Sequence, residues 1–164
     1  MKPDRISPNL DQESVWDYPR PPRCEPTPKH LKIIFNQQII ADSHQAYRVL
    51  ETSHPPVYYI PPNDIKMEYL QSTSQGSFCE WKGRAIYYHL QVGDKRVTNV
   101  AWSYPQPNTR FAAIANYVAF YPQYMDACYV NDELVQPQPG GFYGGWITSD
   151  IVGPFKGEPG TWGW

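Results

Sequence analysis

LKIIFNQQIIADS, residues 31–43, decides the fold. Ile33 and Phe35 alternate before Asn36-Gln37, and Ile39 and Ile40 follow it, the pattern of two strands joined by a tight turn. Asn tolerates the positive φ that short hairpin turns require, so the chain is expected to reverse near Asn36. ACYVNDELVQP, residues 127–137, repeats the shape, with Val130 before Asn131-Asp132 and Leu134-Val135 after it. Two hairpins are thus predicted to frame a β domain. Between them RVLE (48–51), PPVYYIP (55–61), RAIYYHLQV (84–92) and VTNVAWSYP (97–105) are β-branched and aromatic runs bounded by Pro, Gly or Asn, as strands are. Helical signal is confined to NDIKMEYLQ (63–71), with Asn63 as the expected N-cap, and to TRFAAIANY (109–117).

The whole composition agrees with a β-rich, loop-rich chain. It has 164 residues, the length of one domain, with 18 Pro, 13 Tyr, 6 Trp and 6 Phe. A formal net charge of −2 supplies no basic field to attract nucleic acid or an anionic membrane, so neither is expected as a partner. No apolar run approaches the roughly 20 residues that span a bilayer, and MKPDRISPNLDQE at the start has no signal-peptide character. The expectation is a soluble, cytoplasmic protein.

Residues 1–29 contain PRPPRCEPTP and are read as a Pro-rich arm that buries little area, with Trp16 and Tyr18 as its points of attachment. Residues 30–137 form the expected core domain. PGGFYGGWITSDIVGPFKGEPGTWGW lies in the remaining segment, 138–164, a Gly/aromatic tail expected to dock on the core.

Several separated motifs occur in order: RVLETSHPPVYYIPPNDI, SFCEWKGRAIYY, AWSYPQP, YVAFYP and VNDELV. Together they resemble the family known as domain of unknown function four-two-seven, with a tail similar to that of cyanobacterial members. The resemblance implies an all-β, small, strongly curved β-tent domain with one or two short helices, the architecture of yippee, the ligand-binding domain of cereblon and methionine sulfoxide reductase B. Several β-tent proteins hold zinc through two C-x-x-C knuckles. Here the corresponding stretch reads Cys79-Glu80-Trp81-Lys82, with lysine where the second thiolate would stand, so no metal is expected. The family carries a label hinting at nucleotidyltransferases. Such enzymes need a Gly-Ser step followed by closely spaced carboxylates, and Gly76-Ser77 is followed instead by Phe-Cys-Glu-Trp.

Three cysteines without a C-x-x-C pair indicate reduced thiols, and the four histidines show no metal-ligand spacing. Alternation along a strand puts Trp102 and Tyr104 on one face. With Tyr59, Trp81, Tyr87 and Tyr121 they would wall an aromatic pocket, with Cys79 and Glu51 beside it and Lys82 supplying charge for an acidic or polar ligand group. The leading expectation is therefore a small-molecule-binding module without a resident cofactor, a small organic ligand or pigment being its guest. The alternatives are a thiol-dependent enzyme using Cys79, with His54 or His89 as base, and an interaction module that forms homo-oligomers through the aromatic tail.

Overall fold

A computed structural model describes residues 2–164. Along the chain the strands are β1 (Glu13–Ser14), β2 (Arg23–Pro26), β3 (Leu31–Phe35), β4 (Gln38–Ser43), β5 (Tyr47–Leu50), β6 (Val57–Tyr59), β7 (Leu70–Cys79) and β8 (Gly83–Val92). They continue as β9 (Lys95–Ser103), β10 (Val118–Phe120), β11 (Ala127–Val130), β12 (Glu133–Leu134), β13 (Gln136–Pro137), β14 (Trp146–Ile147) and β15 (Ile151–Val152). The protein is mostly β, built of open sheets. No helix among the described residues is long and apolar enough to cross a membrane.

Both Asn turns form, and for the expected reason. Asn36 and Gln37 have φ of 47° and 64°, and Asn131 and Asp132 have 48° and 67°, so each hairpin turns on two left-handed residues. The two hairpins share one sheet, ordered β12-β11-β3-β4, with β3 and β11 antiparallel neighbours. Asn36 adds a bond that its sequence context does not advertise: its Nδ2 donates to Val92 O at 2.8 Å, tying the hairpin tip to the end of β8.

The second large sheet runs β10-β9-β8-β7, and a third runs β2-β5-β6. They meet where Ile60, just past β6, exchanges two backbone hydrogen bonds of 2.9 Å with Val118 of β10. The joined sheets present two faces, and the alternation along each strand sorts its side chains between them. Tyr58, Leu90, Val100, Val118 and Phe120 point into the main core with Leu31, Ile33, Phe35 and Ile40 of the hairpin sheet. Val57, Tyr59, Ala85, Tyr87, Trp102 and Ala119 belong to a second cluster on the opposite face.

The helix expected over 63–71 is not there. Pro62–Asp64 and Met67–Tyr69 are separate 3₁₀ turns, and Pro61, not Asn63, stands at the first N-cap. The backbone between them is claimed by β4: Lys66 N donates to Ile40 O at 2.8 Å, and Asp64 accepts from Ser43 Oγ at 2.6 Å. Tertiary pairing thus overrides a weak helical spacing. Residues 109–117 give the expected short turn, a kinked 3₁₀ segment at Thr109–Ile114.

The N-terminal segment buries more than its proline content suggests. Val15, Trp16 and Tyr18 are buried against Leu50 and Ile151, and β2 pairs along the whole of β5. Arg48 on β5 is held by both Glu13 and Glu25, and the Tyr18 hydroxyl donates to Glu13 at 2.6 Å. Burial pushes the Glu13 carboxyl up, but the hydrogen bonds from Arg48 and Tyr18 hold it below the ordinary value. At the other end, Trp146 enters the main core, its indole N–H donating to Phe120 O at 3.2 Å. β1 pairs with β15, so both ends of the chain lie together.

Candidate functional site

The second face of the joined sheets is the floor of a cleft of ≈ 890 Å³. Tyr59 of β6 and Trp102 of β9 meet edge-on with centroids 6.3 Å apart, and the Trp102 indole N–H donates to the Tyr59 hydroxyl at 3.2 Å. Tyr104 packs beside Tyr59 at 6.3 Å, and Tyr121 tilts onto Trp102 at 4.6 Å. These rings come from three strands and the residues just after them, which is why only the fold brings them together.

The first rim is the far half of the β7–β8 hairpin, Gln75 to Cys79, where Phe78 is 74% exposed and Tyr87 shares a 2.7 Å hydrogen bond with Ser77. The facing rim is Gly141 to Gly144 of the C-terminal segment, with Phe142 66% exposed and Tyr143 packed edge-on to His54. Gly144 packs directly on the Trp102 ring, since a Cβ there would clash with Trp102 Cη2 and force the tail or the ring to shift.

Of the nine residues singled out from sequence, eight line this cleft: Glu51, Tyr59, Cys79, Lys82, Tyr87, Trp102, Tyr104 and Tyr121. Trp81 does not. It sits in the β7–β8 turn, packed against the second cluster, with its carbonyl accepting from Asn108 Nδ2 at 2.8 Å. That turn is an ordinary hairpin end, since Cys79 pairs with Gly83 across it. The Lys82 ammonium lies 5.8 Å over the Tyr104 ring and 5.9 Å over Phe111.

Glu51 pairs with Arg20, from the N-terminal segment, at 3.3 Å. Asp64 lines a separate small hollow beside β4 and not this cleft. Sequence reading missed His54 as a wall residue, and it missed Gln138, Tyr143 and Lys156 altogether. The Gly-Gly steps of the tail were the available signal, because a backbone that must lie against rings needs residues without side chains.

The electrostatics are one-sided. The charged residues of the described lining are Lys82 and Lys156 against Glu51 alone, in a chain whose overall charge is negative. Burial pushes the phenols of Tyr59 and Tyr104 well above their ordinary range and that of Tyr121 up to about 12, so all three remain hydrogen-bond donors. Cys79 makes no hydrogen bond to a base among the described residues, while burial raises the neighbouring Cys24 thiol to about 11. His54 lines the cleft, but its Nδ1 is occupied by the Gln138 amide, 3.0 Å away. His89 Nδ1 accepts from Asn99 N at 3.1 Å. Neither imidazole offers Cys79 a free, oriented lone pair at Nδ1.

Fold and site together define a mostly β protein of open sheets with an aromatic, donor-rich cleft on one face. The family described as Domain of unknown function (DUF427) has a sequence model that matches residues 23–131, about two-thirds of the chain, and the protein belongs to that family. The match begins at the first residue of β2 and ends inside the Asn131-Asp132 turn, so it holds the Asn36-Gln37 turn and most of the cleft floor but not the Gly141–Gly144 rim. Comparison with curated proteins gives no match.

Proposed function

We propose that the protein is a binding module for a flat, acidic small molecule, seated in the aromatic cleft. The observation that carries this reading is the pairing of an aromatic floor with two ammonium groups and protonated phenols, opposed by a single carboxylate already paired to Arg20. Rings supply buried area and stacking for a planar guest, and Lys82 supplies a charge-assisted contact for its anionic group. The strong curvature of a β-tent would give the open sheets their concave face, and the cytoplasm is the setting proposed for the module.

Screening aromatic carboxylates by thermal shift and tryptophan fluorescence tests this. A bound acid should raise Tm and quench Trp102, and Lys82→Ala should weaken it about tenfold, the loss of one charge-assisted bond. Cys79→Ser should leave binding intact. A covalent adduct at Cys79, with affinity indifferent to Lys82→Ala, would transfer the site to the thiol-enzyme reading.

A second reading has its own observation. Phe142 and Trp162 are 66% and 56% exposed and stand edge-to-face at 6.4 Å, an apolar pair at the tail rim of the cleft. Self-association through the tail would use them, and Phe142→Ser with Trp162→Ser should then give a smaller species in sedimentation.

A further inference from the structure

His54 is nine-tenths buried in the wall of the cleft, and its protonation is set by a neighbour that has no freedom of its own. Gln138 is 2% exposed. Its Oε1 accepts from Gly145 N at 3.2 Å, and its Nε2 donates to Lys156 O at 2.8 Å, which fixes which end of the amide is which. The remaining Nε2 hydrogen points at His54 Nδ1, 3.0 Å away. A nitrogen that receives a hydrogen bond carries no proton, so the imidazole is neutral and its one N–H is at Nε2.

The other groups around the ring agree. Burial, together with Lys156, Arg20 and Lys82, drives His54 down to about 4, and only Glu51 acts in the opposite direction. The Nε2–H makes no hydrogen bond among the described residues. Glu51 Oε2 lies 3.7 Å from that nitrogen, too long for a direct bond but close enough for one oxygen atom to be shared by both. A donor whose tautomer is set by Gln138 thus stands beside a carboxylate oxygen, Glu51 Oε2, that also accepts from Arg20 Nε at 3.3 Å.

We infer that His54 and Glu51 form a hydroxyl-selective subsite: a ligand hydroxyl accepts from His54 Nε2–H and donates to the Glu51 carboxylate. A hydroxyl is both donor and acceptor at one atom, whereas a carboxylate in the same place would meet the Glu51 charge and a methyl group would leave the buried His54 Nε2–H unpaired. The inference rests on the cleft being the ligand site and narrows its guest to a hydroxylated aromatic acid. Its acid group is read by the lysines and its hydroxyl by His54 and Glu51. Gln138 is a positioning residue, holding the tautomer without touching the ligand.

Two measurements test it on the full chain. Benzoate and 2-naphthoate are titrated against their monohydroxy isomers. One isomer or more should bind about tenfold or more tighter than its parent, and His54→Phe and Glu51→Gln should each bring that ratio to about one. Without any ligand or variant, imidazole ¹⁵N spectra of the wild type should show His54 protonated at Nε2 and bare at Nδ1 from pH 8 down to about pH 5. A proton on Nδ1 in that range overturns the subsite. Equal binding of parents and hydroxy isomers also overturns it while leaving the cleft as the acid site, and failure of every acid to bind removes the cleft reading and the subsite together.

Discussion

The β3–β4 hairpin and the β7–β8 hairpin are made of the same element and serve opposite ends. In β3, Leu31, Ile33 and Phe35 are fully buried and alternate with half-buried neighbours, and the turn is two left-handed residues. In β7, Gln71 to Phe78 is almost wholly exposed, the register slips between Ser72 and Gly76, and the strand lies at the edge of its sheet. The first hairpin therefore carries stability, and the second carries shape: its bulged, polar edge stands out from the core and becomes a rim of the cleft. A bulge of this kind also blunts an edge that would otherwise recruit another strand.

The widest gap between the two should appear on truncating one Phe in each. Phe35→Ala removes a fully buried ring and should cost about 3–5 kcal/mol, read as a fall of about 10 °C in Tm. If Phe35→Ala melts like wild type, the main core is not where the burial pattern puts it.

Acid should sharpen the contrast next, because the cleft side holds a buried titratable group and the β3–β4 core face does not. The folded pKa of His54, about 4, is depressed from an ordinary 6.5, so the unfolded chain takes up the proton first as pH falls. The stability that His54 contributes is whole above pH 6.5 and is lost as pH falls toward 4, on the order of 2–3 kcal/mol. Urea midpoints from pH 7.5 to 4.5 should show this slope, and His54→Gln should flatten it. At still lower pH, stability is lost as Glu13 and Asp150, both held below their ordinary values, take up protons.

Gly144→Ala probes the seam between tail and floor. Its Cβ would overlap the Trp102 ring, which is pinned by the Tyr59 hydroxyl, so the tail rim must move. The expected loss is about 1–3 kcal/mol, with Trp102 fluorescence shifted toward that of an exposed indole. Smallest of all, Phe78→Ala should change stability by no more than about 0.5 kcal/mol while weakening any aromatic guest of the cleft. A stability loss as large as that of Phe35→Ala would erase the distinction between the hairpins.

Much of this was written in the chain. Both Asn turns were legible because a left-handed pair between apolar runs leaves few other conformations open, and β5, β6, β8 and β9 were legible because β-branched and aromatic runs between breakers have one use. Eight of the cleft residues were legible as types, five of them rings and three, Glu51, Cys79 and Lys82, polar groups beside them, but only Trp102 and Tyr104 were placed on one face by their spacing of two. β7 was not legible: LQSTSQGSFC has almost no apolar alternation, because an edge strand wetted on both sides needs none. Nor was the Gly141–Gly144 rim, nor the state of His54. These depend on contacts across 84 residues in the case of Gln138 and His54, and no local pattern records a hydrogen bond between side chains that distant. The sequence by itself determined which residues could wall a cleft; only the tertiary structure decided which face they share, what closes over them, and which nitrogen of His54 holds the proton.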